Sequence, residues 1–261
     1  MVIAVINRKG GTGKTTSTVN IGAALALKGK KVLLIDLDPQ ANLSYSFGIS
    51  TEGCILGETL LERKVEQADI FRVNGIDVIP STCELVDYEY EFIKQDYPFT
   101  LFKETIASIK DEYDFVLIDC PPSASYLTVN ALIGSDAVLI PMQMDVFGLQ
   151  ALKQILVSIA EIKKEYNSSL FVLGVLAVLV DGRRQLTKEV LTVVKNNYGV
   201  NVFTNYIRQN VKAAEAPSFG QSVIEYAPES TAAKDYINLT NEIIKVLKNK
   251  ELVANKYNTN K

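Results

Sequence analysis

The chain has 261 residues, of which 48% are hydrophobic and 22% are charged, a composition typical of a soluble globular protein with one sizeable core. It contains no histidine, which excludes Ser-His-Asp and Cys-His triads, histidine-containing zinc sites and imidazole acid–base chemistry. The net charge is −3, but residues 1–150 hold 12 basic and 20 acidic residues whereas residues 151–261 hold 15 and 10, which fits either an anion-binding face in the second half or ordinary solvated helices.

Short β-branched segments alternate along the chain with longer amphipathic ones. This alternation predicts a single α/β domain with a mostly parallel twisted sheet and helices on both faces. We expect the domain to cover residues 1–252, followed by a polar, frayed tail at 253–261. The predicted strands cover residues 2–6, 32–35, 76–79, 115–118, 137–140 and 171–180, with a short one at 201–203. The predicted helices cover residues 15–27, 97–110, 150–166, 187–197 and 231–247, with loops and short helices at 42–69.

The first predicted strand leads directly into a glycine-rich loop, NRKGGTGKTT, and then into a helix. The strict pattern GxxxxGK(S/T) fails, because Arg8 stands where the first glycine belongs. The glycines can still turn their N–H groups toward phosphate oxygens, and the helix adds its positive end. Lys14 can reach the β- and γ-phosphates, and the Thr15 hydroxyl can ligate Mg²⁺. The residues predicted to bind the nucleotide in this loop are Lys9, Gly10, Gly11, Thr12, Gly13, Lys14, Thr15 and Thr16.

Lys9 is a second lysine in the same loop, five residues before Lys14. Two lysines so placed are not expected to reach one phosphate from within one chain. Across a dimer interface, Lys9 can neutralise charge in the partner's site, as an arginine finger does. The alternative is a solvated loop lysine.

Two further predicted strands end in carboxylates. The carboxyl ends of parallel strands meet at one edge of a sheet, so Asp36, Asp38 and Asp119 are expected near the phosphate loop. We expect Asp38, which lies further out, to orient the attacking water, and Asp36 to anchor the loop or to join the Mg²⁺ shell. Asp119 follows a hydrophobic strand and suits Mg²⁺ coordination through water.

The three cysteines, Cys54, Cys83 and Cys120, form no CxxC pair and are typical of reduced thiols in a cytoplasmic protein. The longest apolar segment, residues 170–180, is too short to span a bilayer, and the N-terminus has no signal- or transit-peptide pattern. The prediction is a cytoplasmic protein.

The motifs resemble those of the ParA/Soj-type partition ATPases, which carry the deviant Walker A sequence KGGxGKT. The resemblance covers nearly the whole chain, and the residues that carry it are Lys9–Thr16, 36–42 (DLDPQAN), 119–123 (DCPPS), 130–132 (NAL), 140–143 (IPMQ), 210–212 (NVK), 215–218 (EAPS) and 226–228 (YAP).

Together with the glycine-rich loop, the resemblance implies the P-loop NTPase fold. It also implies an ATP- and Mg²⁺-dependent ATPase whose dimer encloses the nucleotides between its subunits. It implies that Lys9 acts in trans, that Asp38 serves hydrolysis, and that the ATP-bound homodimer binds DNA without sequence preference. It also implies a ParB-type partner that stimulates hydrolysis, nucleoid association without membrane binding, and a small type of chain that starts at the phosphate-loop strand.

Two further segments are interpreted through the resemblance. Where the family usually has Pro-Arg-Asn near the nucleotide base, this chain has Arg208, Gln209 and Asn210, so these residues are the expected base contacts. The family's DNA-contacting cations correspond to Arg183, with Arg184 beside it, and Lys212. Such cations can contact phosphate without reading bases, and the alternative is a pair of solvated surface charges.

A MinD-like ATPase at the membrane is the alternative function, because it shares the deviant loop. It needs an amphipathic C-terminal helix with bulky exposed apolar residues. The segment at 243–248 contains no Phe or Trp, and a helix docked on the core is the favoured interpretation.

An iron–sulfur reductase needs paired cysteines and a small-molecule kinase needs an arginine-rich lid, and the sequence has neither pattern. A nucleotide-gated scaffold without turnover shares every motif.

Overall fold

A seven-stranded sheet runs through the centre of the molecule, which the computed structural model describes over residues 1–258, the side chains of residue 251 and of residues 253–258 being outside the description. The strands are β1 (Val2–Val5), β2 (Val32–Asp36), β3 (Phe71–Val73), β4 (Ile76–Ile79), β5 (Phe115–Asp119), β6 (Ala137–Met142) and β7 (Phe171–Ala177). Their order is β3-β4-β2-β5-β1-β6-β7. Neighbours pair in parallel, but β3 runs antiparallel to β4 at one edge.

The central strands are apolar up to the carboxylates Asp36 and Asp119 that end β2 and β5, because both faces of the sheet are covered. In β1, Val2 and Ala4 belong to the core on one face, whereas Ile3 and Val5 belong to the core on the other. Side chains alternate between the faces of a strand, so a sheet covered on both sides needs a continuous apolar segment. The same argument explains β2 and β5, whose residues are all buried.

Eleven α-helices are described within residues 1–258. They are α1 (Lys14–Leu27), α2 (Asn42–Ser46), α3 (Ile55–Glu62), α4 (Leu85–Lys94), α5 (Leu101–Ile106), α6 (Tyr126–Gly134), α7 (Val146–Glu165), α8 (Gln185–Asn197), α9 (Val211–Glu215), α10 (Val223–Tyr226) and α11 (Thr231–Asn258). Short 3₁₀ turns lie at Gln67–Asp69, Lys110–Glu112 and Ala216–Phe219.

Helices α1 and α11 pack together on one face of the sheet, and α3 to α8 cover the other. Helix α11 buries Tyr236, Leu239, Ile243 and Leu247, which recur at helical spacing along one stripe. This burial confirms that the segment at 243–248 is docked on the core up to Leu247. Within the described residues, no helix is both long enough and apolar enough to cross a membrane.

The predicted fold class and six of the seven predicted strands are confirmed. The segment at 201–203 forms only an isolated bridge, between Val202 and Val175, and strand β7 ends at Ala177 instead of residue 180. Strand β3 was not predicted, since three residues at an exposed edge carry little periodicity. The polar, frayed tail from residue 253 stays a prediction; α11 continues to Asn258, and residues 259–261 lie outside the described part.

Candidate functional site

The glycine-rich loop connects β1 to α1 at the carboxyl end of the sheet. Gly11 and Gly13 have φ angles of 70° and 68°, in the left-handed region that favours glycine. Gly13 is the N-cap of α1 and has no side chain that could cap the helix. The N–H groups in the first turn of α1 therefore stay available to an anion. Asn7 fixes the start of the loop: its amide donates to the carbonyl of Pro141, 2.7 Å away, and its side-chain oxygen accepts the N–H of Lys9.

Thr15 and Asp119 meet directly in the structure. The Thr15 hydroxyl donates to Asp119 Oδ2 over 2.6 Å, from the first turn of α1 to the end of β5. Asp119 is fully buried, and burial, followed by the nearby charge of Asp36, raises its pKa well above the usual carboxyl range. Lys14 is also buried. A buried carboxylate beside a lysine and a hydroxyl is a site that a bound cation would stabilise in its ionised form.

Asp36 has a different environment from the one expected of a metal ligand. Its Oδ2 accepts both the N–H and the hydroxyl of Ser44, at 2.8 and 2.7 Å, and its Oδ1 accepts the N–H of Asp38. Burial raises its pKa to about 6, against the lowering effect of these hydrogen bonds. These contacts favour the anchoring role that the sequence left open for Asp36 over a place in the Mg²⁺ shell.

Asp38 lies at the wall of a cavity of about 450 Å³ formed around the glycine-rich loop. Its Oδ1 accepts the N–H of Gln40 at 3.0 Å, which fixes the carboxylate at the start of the loop toward α2. The other lining residues are Gly10, Gly11, Thr12, Gly13, Lys14, Thr15, Thr16, Gln40, Asn42, Tyr45, Ser46, Pro122 and Pro217. The volume is in the range of pockets that take a small organic ligand.

Lys9 points away from this cavity toward the connection between β6 and α7. Its ammonium group lies 2.8 Å from Asp145 Oδ2 and 2.9 Å from Gln143 Oε1. Burial by itself raises the pKa of Asp145, but hydrogen bonds from Lys9 and from the N–H of Gly148 outweigh it and hold the pKa below the usual range. Both charged side chains remain about one-third exposed, at 30% and 32%, so the pair is accessible from outside the subunit.

The three predicted base contacts do not line the cavity around the loop. Arg208 forms a two-pronged ion pair with Asp235 of α11, with N–O distances of 2.6 and 2.9 Å. Asn210 caps α9 by accepting the N–H of Lys212, and its amide donates to the Thr231 hydroxyl. Gln209 borders a separate small pocket. From the segment between β7 and α11, the residue that lines the cavity around the loop is Pro217, and the three base contacts stay a prediction.

The predicted DNA-contacting cations are exposed, and each lies beside a carboxylate. Arg183 and Arg184 lie on the loop before α8, and Lys212 lies in the short helix α9, directly after a second loop. Arg183 contacts both carboxylate oxygens of Asp181, at 2.9 and 3.0 Å, and Arg184 lies 3.8 Å from the same group. The hydrogen bond from Arg183 lowers the pKa of Asp181 to about 2. Lys212 pairs with Glu215 at 2.9 Å. Arg184 and Gln209 line one small pocket, so the two loops are neighbours.

Sequence reasoning missed the residues that position the loop and the cavity wall. Asn7 and Gln143 each make a hydrogen bond to a segment 134 residues away, and Ser44 connects α2 to Asp36 and to Ser81. Ser44 and Gln143 lie in segments that the family motifs cover or border, and the alternation of apolar residues carries no information about such contacts.

The donor atoms at the loop fit Mg²⁺ better than a metal held wholly by protein. Within residues 1–258, no three His, Cys, Asp or Glu side chains converge to hold a metal ion. Mg²⁺ keeps several waters and takes few protein ligands along with substrate phosphates, and one hydroxyl and one carboxylate suit it. The fold and the site together define a P-loop nucleotide-binding protein with a second, forward lysine in its loop.

Comparison with known proteins gives the family. The family profile described as an AAA domain matches residues 1–172. The sporulation initiation inhibitor protein Soj of Bacillus subtilis is 38% identical over 248 residues, which cover 93% of this chain and 97% of the relative. The chromosome-partitioning ATPase Soj of Treponema pallidum is 37% identical over 245 residues, covering 93% and 96%. The chain belongs to the Soj/ParA family of chromosome-partitioning ATPases.

A solved structure agrees with this assignment. Cobyrinic acid a,c-diamide synthase from Mycobacterium smegmatis, with bound ATP analogue and magnesium, superposes with a TM-score of 0.75 at 30% identity, covering 88% of this chain and 97% of that one.

Proposed function

We propose that this chain is a partition ATPase that hydrolyses ATP to ADP and phosphate and switches between a monomer and an ATP-bound homodimer that binds DNA. The observation that carries the proposal is the pairing of Thr15 with buried Asp119 beside Lys14, at the mouth of a cavity of about 450 Å³. Relatives named as chromosome-partitioning ATPases match over 93% of this chain and supply the biological context.

Nucleotide binding is assigned to the glycine-rich loop and the first turn of α1. The N–H groups of the loop and the ammonium of Lys14 would contact the phosphates. Thr15 and Asp119 would hold Mg²⁺, Asp119 through water, and the ion would neutralise charge on the β- and γ-phosphates. Asp36 would keep α2 in place through Ser44, so that Asn42 and Tyr45 line the cavity.

Hydrolysis needs a water placed in line with the bond that breaks. Asp38 lies in the cavity wall with one oxygen fixed by the N–H of Gln40, so its other oxygen can accept a hydrogen bond from that water. The water attacks the γ-phosphorus, the bond to the β–γ bridging oxygen breaks, and ADP and phosphate leave. Without a further cation at the γ-phosphate this step is slow, as suits a timing device.

The further cation is assigned to Lys9 of a second subunit. In the single chain Lys9 is held by Asp145 and Gln143, outside its own cavity. Formation of the dimer would exchange these partners for the phosphates of the neighbouring nucleotide. The exposed pair is worth at most about 1 kcal/mol, so a triphosphate can outcompete it.

Binding to DNA is assigned to Arg183, Arg184 and Lys212 in the ATP-bound dimer, where two copies of each cation would share one surface. Contacts of this kind go to phosphates and carry no sequence information. A ParB-type partner is assigned the stimulation of hydrolysis.

The experiment that tests the function measures binding to a fluorescent random-sequence duplex with Mg²⁺ and ATP, with ADP, or without nucleotide. Binding that needs ATP supports the partition function. Binding to anionic liposomes in place of DNA would instead support the membrane-positioning alternative, and binding that ignores the nucleotide would contradict the switch. ATP turnover measured in parallel separates an ATPase from a scaffold without hydrolysis.

A further inference from the structure

Helix α4 has an apolar row on its outward face as well as on its inward face. Leu85 and Phe92 face the core and are fully buried. Val86, Tyr90 and Ile93, at positions i, i+4 and i+7, form a second row, and their exposed fractions are 54%, 63% and 59%. A surface helix with one partner normally has a polar outward face. The second row therefore has the spacing of a contact surface for another element.

An acidic row borders this exposed apolar row. Glu84, Asp87 and Glu91 follow one another at i, i+3 and i+7, and residues 84–96 hold five acidic side chains and one basic one. Glu91 bonds to Lys94 and Gln95, whereas among the described residues the carboxylates of Glu84 and Asp87 make no hydrogen bond or ion pair. Two carboxylates beside an exposed apolar row are complementary to a segment that carries both cations and apolar side chains.

We propose that the outward face of α4 binds a basic amphipathic helix of a partner protein. In this arrangement an apolar stripe of the partner covers Val86, Tyr90 and Ile93, and its lysines or arginines lie against Glu84 and Asp87. The row spans about two helical turns, roughly 10 Å, so a short segment of the partner suffices. Aromatic and aliphatic anchors with a charged border are the usual elements of such contacts.

The chain segment before α4 connects this surface to the wall of the nucleotide cavity through a hydrogen bond. The connection from β4 to α4 includes Ser81, whose N–H donates to the hydroxyl of Ser44 at 3.0 Å. Ser44 belongs to α2, bonds to Asp36, and is flanked along the helix by Asn42 and Tyr45 of the cavity wall. A segment bound to α4 can thus influence the position of α2. We expect a shift of α2 to change ATP turnover, and this expectation rests on the proposed function. The binding surface itself does not rest on it.

The test uses a fluorescein-labelled 14-residue peptide in which leucines occupy one helical face and lysines the other. Fluorescence anisotropy with the full chain should show saturable binding. Two variants, Val86→Ser/Tyr90→Ser/Ile93→Ser and Glu84→Lys/Asp87→Lys, should each weaken binding by about tenfold or more. The matched controls are Leu27→Ser/Val157→Ser, which removes equally exposed apolar side chains elsewhere, and Asp111→Lys/Glu112→Lys, which reverses charge elsewhere; both should bind as the wild type does.

Three results would overturn the surface. The first is that the wild type and the triple serine variant bind the peptide with equal affinity. The second is that the wild type binds a leucine–glutamate peptide of the same pattern equally well. The third is self-association of the nucleotide-free wild type in sedimentation that the triple variant abolishes, which would assign the face to a second copy of this chain. Hydrogen exchange should show protection of residues 85–94 when the peptide binds. A wild type that binds the peptide but never hydrolyses ATP would contradict the proposed function and leave the surface standing. Saturable binding that leaves an active ATPase unchanged would overturn the connection through Ser81.

Discussion

The buried part of the site and its exposed cations are built in opposite ways. Lys14, Thr15 and Asp119 lie on the first turn of α1 and the end of β5, with little exposure. Lys9 and Arg183 lie on loops, Lys212 lies in the short helix α9, and each pairs with a carboxylate of the same chain.

This difference in construction corresponds to a difference in the molecule on which each group acts. Groups that act on a nucleotide bound to their own subunit are fixed by the sheet and cost nothing further to position. Groups that act on another molecule need a partner that they can leave, and a weak, solvent-screened ion pair serves this purpose. If this comparison is correct, changes in the buried part should abolish chemistry or nucleotide binding. Changes in the exposed cations should alter association and, for Lys9, also turnover in the dimer.

The largest expected effect is on turnover, from Asp38→Ala. Losing the carboxylate that orients the water should lower ATP hydrolysis by about 10²- to 10⁴-fold, while ATP affinity changes by less than about threefold. Steady-state phosphate release and calorimetric titration with ATP measure the two quantities. A loss of affinity as large as the loss of turnover would make Asp38 a binding residue.

Next in size is the loss of nucleotide binding in Lys14→Ala. Charge-assisted hydrogen bonds to two phosphates contribute about 1.5–3 kcal/mol each, so ATP affinity should fall on the order of 100-fold or more. Lys28→Ala, at the other end of α1, is the matched control and should bind ATP normally. Unchanged affinity in Lys14→Ala would remove the glycine-rich loop from the site.

A smaller effect is expected at Lys9, and on a different quantity. Lys9→Ala should weaken ATP-dependent dimerisation by about tenfold or more, with ATP binding by the monomer kept, since the ammonium lies outside its own cavity. Sedimentation with a non-hydrolysed ATP analogue gives the dimer constant.

The reverse change is Asp145→Asn, which keeps an oxygen for the N–H of Gly148 but removes the ion pair with Lys9. It should favour the dimer, by up to about fivefold. If both variants dimerise as the wild type does, Lys9 has no role in trans.

For Arg183→Glu we expect an effect on DNA affinity that is similar in size to the effects on dimerisation but depends on the salt concentration. With about four phosphates neutralised by Arg183 and Lys212 of two subunits, the slope of log K against log salt should be roughly −4. Arg183→Glu should reduce this slope by about 2 and leave basal ATP turnover unchanged. Lys103→Glu on α5 is the control. A flat salt response in the wild type would contradict electrostatic binding.

The smallest effect is expected at Arg208, which is a predicted base contact and pairs with Asp235 in the structure. Because its guanidinium pairs with Asp235, Arg208→Ala should lower the free energy of unfolding by about 1 kcal/mol and leave ATP affinity unchanged. Urea denaturation measures the free energy of unfolding, and ATP titration measures the affinity. A loss of ATP affinity without a loss of stability would identify Arg208 as a base contact.

Local patterns were sufficient to predict much of the molecule. The apolar strands, the loop glycines and the carboxylates after β2 and β5 follow from rules that act over a few residues, and the family motifs repeat those residues. Short elements were harder to predict: β3 has three residues, and of the helix predicted over residues 97–110 only Leu101–Ile106 is α-helical, because the boundaries of such elements depend on neighbours distant in sequence. The base contacts stay a prediction, because a resemblance gives a position in the chain and not the direction of a side chain.

The order of residues alone determined the sheet, the phosphate loop and the set of acids near it, since backbone conformation and alternating burial are local properties of the chain. Only the folded structure decided which partner each charge has. It paired Lys9 with Asp145, Arg208 with Asp235 and Asp36 with Ser44, because each of these contacts joins side chains whose separation depends on how distant segments pack.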